Sequence, residues 1–161
     1  MGKKIIHTID WEESDPVFDF LLLGLESTIS KDYRLAFELN MYCKSTFKRV
    51  EDQEIKADGI NYSFSVFRFY DHKTKQTVEL IRNYSHPEKV KTHNMDLFGE
   101  AEQVKILIPE YRRYNFFIKS AFSLDQNFCV TLQKLECIKH HQEIDLHSIK
   151  INNLENLILP Q

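Results

Sequence analysis

The sequence predicts an α+β domain with one mainly antiparallel sheet and two helices packed on one of its faces. Two segments carry apolar residues at helical spacing, and several short runs rich in β-branched and aromatic residues are typical of strands. The 161 residues fit a single domain spanning 1–161. With 42% hydrophobic residues and only 4 Gly and 4 Pro, the composition is not that of a disordered chain.

The first part of the chain predicts a strand followed by a helix. An apolar run over 17–25 has the length of a buried strand, and Gly24 within it indicates a bulge or a close approach of another segment to the backbone. Ser30 is predicted to cap a helix over 32–44, whose apolar face would include Leu35, Leu39, Tyr42 and Cys43.

The middle of the chain predicts strands. A short edge strand over 47–55 precedes an aromatic strand over 60–70. A polar turn then leads into an alternating strand over 76–83, which makes a hairpin with the aromatic strand. The polar segment 84–96 is predicted to be a loop.

The last third predicts strands over 104–108 and 114–122, and then a second helix over 124–138. Ser123 begins a capping-box pattern at the start of this helix. A final strand is expected over 143–149.

This order of elements is that of a ferredoxin-like βαββαβ core with extra strands. We expect residues 1–16 to be a flexible N-terminal segment and residues 150–161 to be an apolar C-terminal tail. The apolar part of that tail, 154–159, would pack on the domain or fasten a neighbouring molecule.

Composition and cysteine usage indicate the compartment. The three cysteines lack the spacing of a disulfide framework or a CxxC motif, and no apolar run approaches the length of a membrane span. The expected location is the cytoplasm, with no membrane association. The net charge of −3 provides no general attraction for nucleic acid.

No catalytic motif is visible, so the sequence offers no argument for an enzyme and we expect no catalytic residue and no cofactor. It contains neither a phosphate-binding glycine loop nor a GxSxG nucleophile elbow. The densest group of metal-ligating side chains lacks a recognised spacing, and we interpret it as a solvated strand edge rather than a metal site. These residues are His140, His141, Glu143, Asp145 and His147.

Two alternative functions remain open: a small-ligand-binding protein or enzyme, which would need a concave pocket with convergent polar groups, and an RNA-binding module. The aromatic strand over 60–70 partly fits the pattern of RNA-recognition strands, although the basic and glycine positions of that pattern are missing. The residues that would contact nucleic acid by stacking or by charge are Tyr62, Phe64, Arg68, Arg112 and Arg113.

The segment 108–116 (IPEYRRYNF) resembles the motif that names the uncharacterised bacterial IPExxxVDY family. The stretch from Leu22 to Asn40 also resembles the N-terminal half of that family. The residues that carry the motif, or that we consider structural candidates, are Ile108, Pro109, Glu110, Asp32, Tyr33 and Arg34. Tyr114-Asn115-Phe116 stand where the family has Val-Asp-Tyr. The resemblance implies a bacterial cytosolic protein and brings no established activity.

Within this motif, Pro109 restricts its own φ and favours an extended conformation before it, so Ile-Pro-Glu is typical of a rigid bend. Glu110 is expected to serve the fold, either by pairing with an arginine such as Arg34 or Arg112 or by accepting backbone amides. A contact with a ligand or partner is the alternative.

The function that these features favour is a small accessory or protein-interaction domain that associates with itself, most simply as a homodimer, or with another protein. Sheet edges, the aromatic strands and the apolar tail are the surfaces expected to make these contacts.

Overall fold

The computed structural model describes residues 18–91 and 100–158, so the predicted flexible segment 1–16 lies outside the described residues. Ten strands and three α-helices lie within these ranges, joined in places by 3-10 turns at Pro109–Tyr111 and Leu146–Ser148. The elements in chain order are β1 Leu21–Ser27, α1 Asp32–Cys43, β2 Lys48–Arg49, β3 Gln53–Ala57, β4 Ile60–Phe64, β5 Val66–Asp71, β6 Gln76–Arg82, β7 Glu88–Lys91, β8 Glu100–Gln103, β9 Phe116–Ser120, α2 Gln126–Lys134, β10 Ile138–Glu143 and α3 Ile151–Glu155.

Six strands form the main sheet in the order β10-β1-β9-β6-β5-β2, and every neighbouring pair is antiparallel. The four strands β10-β1-β9-β6 have the 4-1-3-2 order of a βαββαβ core, in which α2 connects β9 to β10 across β1. The remaining strands of the sheet, β5 and β2, extend it beyond β6. The predicted fold class is therefore confirmed.

Each face of the sheet packs against a separate hydrophobic core. The helices α1 and α2 cover one face, where Leu35 and Leu132 pack among inward side chains of the strands. The other face is covered by the β3–β4 hairpin, the segment that contains Ile108, and α3. The sequence predicted the helical layer, whereas this second covering layer was not predicted.

The N-cap residues of both long helices differ from the predicted ones. Lys31 occupies the N-cap of α1 and makes no side-chain cap, so Ser30 does not have the predicted role. At α2 the carboxylate of Asp125 accepts the N–H of Phe128 at 3.2 Å, in place of a cap by Ser123. A carboxylate at the N-cap also interacts favourably with the helix dipole.

The predicted end of α2 and the predicted final strand are both corrected. The helix stops at Lys134 because Leu135 is extended, and the strand that follows is Ile138–Glu143 rather than 143–149. Pairing with β1 explains this shift, since Glu143 lies opposite Leu23 and Ile138 lies opposite Ser27. Hydrogen bonding to a distant strand therefore outweighs the helical periodicity of residues 135–138.

Two further strand predictions are corrected by the structure. Residues 104–108 form no strand: β8 ends at Gln103, and Ile106 makes only an isolated bridge with Tyr84. The aromatic segment 60–70 is split at Ser65 into β4, which pairs with β3, and β5, which pairs with β6.

The C-terminal residues pack within the domain. Leu154 is 6% exposed and Leu157 is fully buried, both in the core opposite the two long helices. The part of the predicted tail beyond residue 158 lies outside the described residues. None of the described helices has the length and apolar character needed to cross a bilayer.

Candidate functional site

The outward side of α1 carries four large apolar side chains, which we call the α1 outer face: Tyr33, Phe37, Met41 and Tyr42. Their exposed fractions lie between 59% and 62%. Tyr33, Phe37 and Met41 are spaced four residues apart, so they form one stripe along the helix. The opposite side of the helix packs on the sheet through its buried leucines.

This apolar outer face departs from the pattern of an ordinary surface helix, which is polar on its solvent side. The fold does not need these side chains, because the buried face of α1 already supplies the contact with the sheet. Four of the ten most exposed large hydrophobic side chains in the described part of the chain lie on this one short helix. Contiguous exposed apolar surface of this kind is typical of protein interfaces.

Charged residues lie beside the stripe. Arg34 and Glu38 are one helical turn apart and line a groove of about 710 Å³ between α1 and the connection from α2 to β10. Tyr42 lines the same groove. The α1 outer face therefore combines an apolar stripe with one basic and one acidic group on the same flank.

The start of α1 is held by a polar network that joins three other parts of the chain. The Asp32 carboxylate accepts a hydrogen bond from the Ser65 hydroxyl and another, of 3.2 Å, from Nη1 of Arg49. The Ser65 Oγ also lies 2.9 Å from Nε2 of His86. Because the single hydroxyl proton of Ser65 points to Asp32, Oγ accepts a hydrogen bond from the Nε2–H of His86.

The network keeps Asp32 ionised. Burial raises the pKa of Asp32, but hydrogen bonds from Ser65 and from the Tyr33 N–H, together with the charge of Arg49, bring that pKa below its ordinary value of 3.8. Ser65 is fully buried. A nucleophilic oxygen has to be reached by its substrate, and the buried Oγ of Ser65 is not exposed to one. The arrangement fixes the start of α1 and provides no nucleophile.

The motif residues support the layer on the opposite face of the sheet. Ile108 is buried and donates its N–H to Oδ1 of Asn83 at 2.9 Å. Pro109 opens the following 3-10 turn. The Glu110 carboxylate accepts the backbone N–H of Lys150 at 3.0 Å and the side-chain amide of Asn153 at 2.9 Å. Of the partners considered for Glu110, the structure therefore shows a backbone amide at the start of α3 rather than Arg34 or Arg112.

The structure does not bring all six motif candidates together. Ile108 belongs to the core opposite the helices, whereas Asp32, Tyr33 and Arg34 form the first turn of α1 on the helical face. Asp32 is buried in the polar network, while Tyr33 and Arg34 are exposed.

The residues assigned to nucleic-acid contact do not form one surface. Tyr62 is 7% exposed and Phe64 is fully buried, so neither ring can stack on a base, which corrects that assignment. Arg68 contacts Glu79 at 2.7 Å, and Arg113 contacts Glu26 at 2.7 Å. Arg112 is exposed, and its backbone carbonyl accepts a hydrogen bond from the Tyr84 hydroxyl.

Sequence reasoning missed the α1 outer face because it followed the stripe of Leu35, Leu39 and Tyr42. The structure buries the two leucines but leaves Tyr42 exposed, which corrects that part of the prediction. A second series at intervals of four, Tyr33-Phe37-Met41, was present in the sequence and could have indicated that the helix is apolar on two sides.

No known family model, curated protein or solved structure matches this chain. The resemblance to the IPExxxVDY family therefore stays a prediction that depends on the motif residues alone.

Proposed function

We propose that this protein is a small accessory domain that acts by binding a protein partner, either a second copy of itself or a different protein, through the α1 outer face. The observation that carries the proposal is the stripe of Tyr33, Phe37 and Met41, exposed on a helix whose other side already completes the core. Large side chains of this type bury about 150–250 Å² each, so four of them at this exposure present roughly 500 Å². That area suits the centre of a small or transient interface.

The other surfaces that the sequence suggested are less suitable for binding a partner. At one edge of the sheet, β2 has only two residues, and at the other edge β10 carries Lys139 and Glu143. Short or charged edge strands resist pairing with another sheet. Leu154 and Leu157 of the predicted tail are buried in the domain itself, so they are not available to fasten a neighbour.

The same proposal includes three further statements: the location is the reducing cytoplasm, the origin is bacterial as the motif implies, and the domain has no catalytic role. Three free thiols support the first of these: Cys43, Cys129 and Cys137 are half-buried and unpaired in disulfides. RNA binding is disfavoured because Tyr62 and Phe64 are in the core and the net charge is −3.

The proposal is tested by replacing Phe37 with the photo-reactive amino acid p-benzoylphenylalanine in cells that express the full chain. We expect irradiation to produce a covalent protein adduct, because the benzophenone would lie at the centre of the interface. The matched control carries the same replacement at Phe122, an equally large side chain that is 66% exposed on the turn before α2. We expect little or no adduct from this control.

Absence of an adduct at Phe37, repeated at Tyr33 and Met41, would refute the α1 outer face as a binding surface. Equal yields from Phe37 and Phe122 would show only random collision and would contradict the proposal as well. Thermal unfolding of each variant verifies that the domain remains folded.

A further inference from the structure

We infer that the partner of the α1 outer face is a second copy of this chain, and that the two α1 helices pair antiparallel across a twofold axis near Phe37. This inference rests on the proposed function, because it assigns an occupant to the same surface. Three features of α1 support this pairing: the symmetry of the stripe, the order of its flanking charges and the area available.

The apolar stripe is symmetric about its middle residue. Tyr33 and Met41 each lie four residues from Phe37, which is about 6 Å along the helix axis. A twofold axis at Phe37 therefore places Phe37 against its own copy and Tyr33 against Met41 of the partner subunit, at both ends of the contact. Aromatic pairs and contacts between methionine sulfur and aromatic rings are both favourable.

The flanking charges select the antiparallel arrangement. Arg34 and Glu38 lie on the same flank, and the midpoint between them is position 36. This midpoint is about 1.5 Å from Phe37 along the axis, so nearly the same twofold axis serves the charges and the stripe. Antiparallel pairing brings each Arg34 to Glu38 of the partner subunit, twice in the dimer. Parallel pairing about a twofold axis along the helices would put this flank on opposite sides of the contact in the two copies, so neither Arg34–Glu38 contact would form.

The available area indicates a dimer of modest affinity. Two copies of a surface of roughly 500 Å² bury about 1,000 Å² in total, which is near the lower limit for a specific interface. We therefore expect dissociation on the order of micromolar concentrations, which is a range that sedimentation velocity can measure.

Reversing the charges one at a time tests the arrangement in the full chain. The variants R34E and E38R each convert two attractive contacts of the dimer into repulsive ones, and each should weaken association by about 5–30-fold. The double variant R34E/E38R restores both contacts and should associate within about 3-fold of the natural chain.

An equimolar mixture of R34E with E38R provides the sharpest measurement. In the mixed dimer, the new acidic group at position 34 of one copy faces the new basic group at position 38 of the other. The natural Glu38 and Arg34 also face each other, so the mixture should associate more tightly than either variant alone. The control is K56E, which makes the same change of charge at an exposed position of the β3–β4 hairpin on the other side of the sheet. Its association should equal that of the natural chain.

The outcomes separate this inference from the proposed function. One outcome is a chain that stays monomeric at protein concentrations about 100-fold above the expected dissociation constant, while the photo-reactive residue at position 37 forms adducts with a different protein. This outcome overturns self-association and leaves the proposed function standing. A dimer that R34E and E38R do not weaken has its interface elsewhere and also overturns the inference. A monomer without adducts refutes both.

Discussion

Replacing Gly24 by alanine would test how β1 packs against the segment after the Ile-Pro-Glu bend. A Cβ atom at Gly24 would lie 2.6 Å from Cδ2 and 2.7 Å from Cγ of Tyr114, well inside van der Waals contact. The Tyr114 ring is 2% exposed, and its hydroxyl lies 2.8 Å from Oε1 of Gln142 and 3.1 Å from Nδ1 of His140. The ring therefore cannot move away from β1 without losing these contacts.

The expected cost combines opposing contributions. Overpacking a well-filled core costs about 1–3 kcal/mol, and weakening the hydroxyl contacts adds about 1 kcal/mol. Against this, alanine is favoured over glycine in a strand by roughly 0.5–1 kcal/mol. We expect Gly24→Ala to lower the free energy of unfolding by about 2–3 kcal/mol, which corresponds to a decrease in Tm of roughly 4–10 °C for a domain of this size.

A double-mutant cycle in urea identifies the cause of that cost. Tyr114→Ala removes the ring and destabilises the protein by itself, by about 3–5 kcal/mol. In that background Gly24→Ala should be neutral or slightly stabilising, because the three atoms nearest to the new methyl group all belong to the ring that has been removed. If Gly24→Ala costs the same in both backgrounds, the contact with Tyr114 is not the reason that glycine is needed, and the reasoning fails.

Two further predictions concern titratable side chains. Burial raises the pKa of Glu110, but the N–H of Lys150, its own N–H and the Asn153 amide lower that pKa below the ordinary 4.5. The stabilisation by Glu110 is therefore present above that pH and is lost as the pH falls through the folded-state pKa. Glu110→Ala should cost about 1 kcal/mol in urea unfolding at neutral pH and less at pH ~3, and an equal cost at both would contradict this role. Burial, with Cys137 and Cys129 nearby, raises the pKa of the Cys43 thiol from 9.0 to about 11. Iodoacetamide at pH ~8 should therefore label Cys43 at least ~10-fold more slowly in the native protein than in urea, and mass spectrometry showing equal rates would refute it.

Helical and strand periodicity predicted the fold class, because each depends on residues that are close in sequence. The pattern over 32–44 located α1 to within one residue of Asp32–Cys43. Gly24 indicated a close approach, and the Tyr114 ring makes it. The boundaries of α2 and β10 could not be predicted in this way, since the pairing of β10 with β1 decides where the helix stops.

The candidate site was less predictable than the fold. Arg34 and Tyr33 were selected by the motif, but their neighbours Phe37 and Met41 were not. A helix with apolar residues on two sides does not reveal which side faces the core. The polar network was also not predicted, because Asp32 and Ser65 are 33 positions apart and meet only when β5 lies beside the start of α1.

The sequence by itself determined the antiparallel sheet and the layer of two long helices on one of its faces, both of which follow from local spacing and side-chain shape. Only the tertiary structure decided which apolar side chains stay outside. Tyr62 and Phe64 would be exposed only in the RNA-binding alternative and are buried under the second layer, whereas Tyr42 fits the predicted buried stripe and is exposed. Burial depends on which distant segment covers a residue, and that depends on the packing of the whole chain rather than on any local pattern.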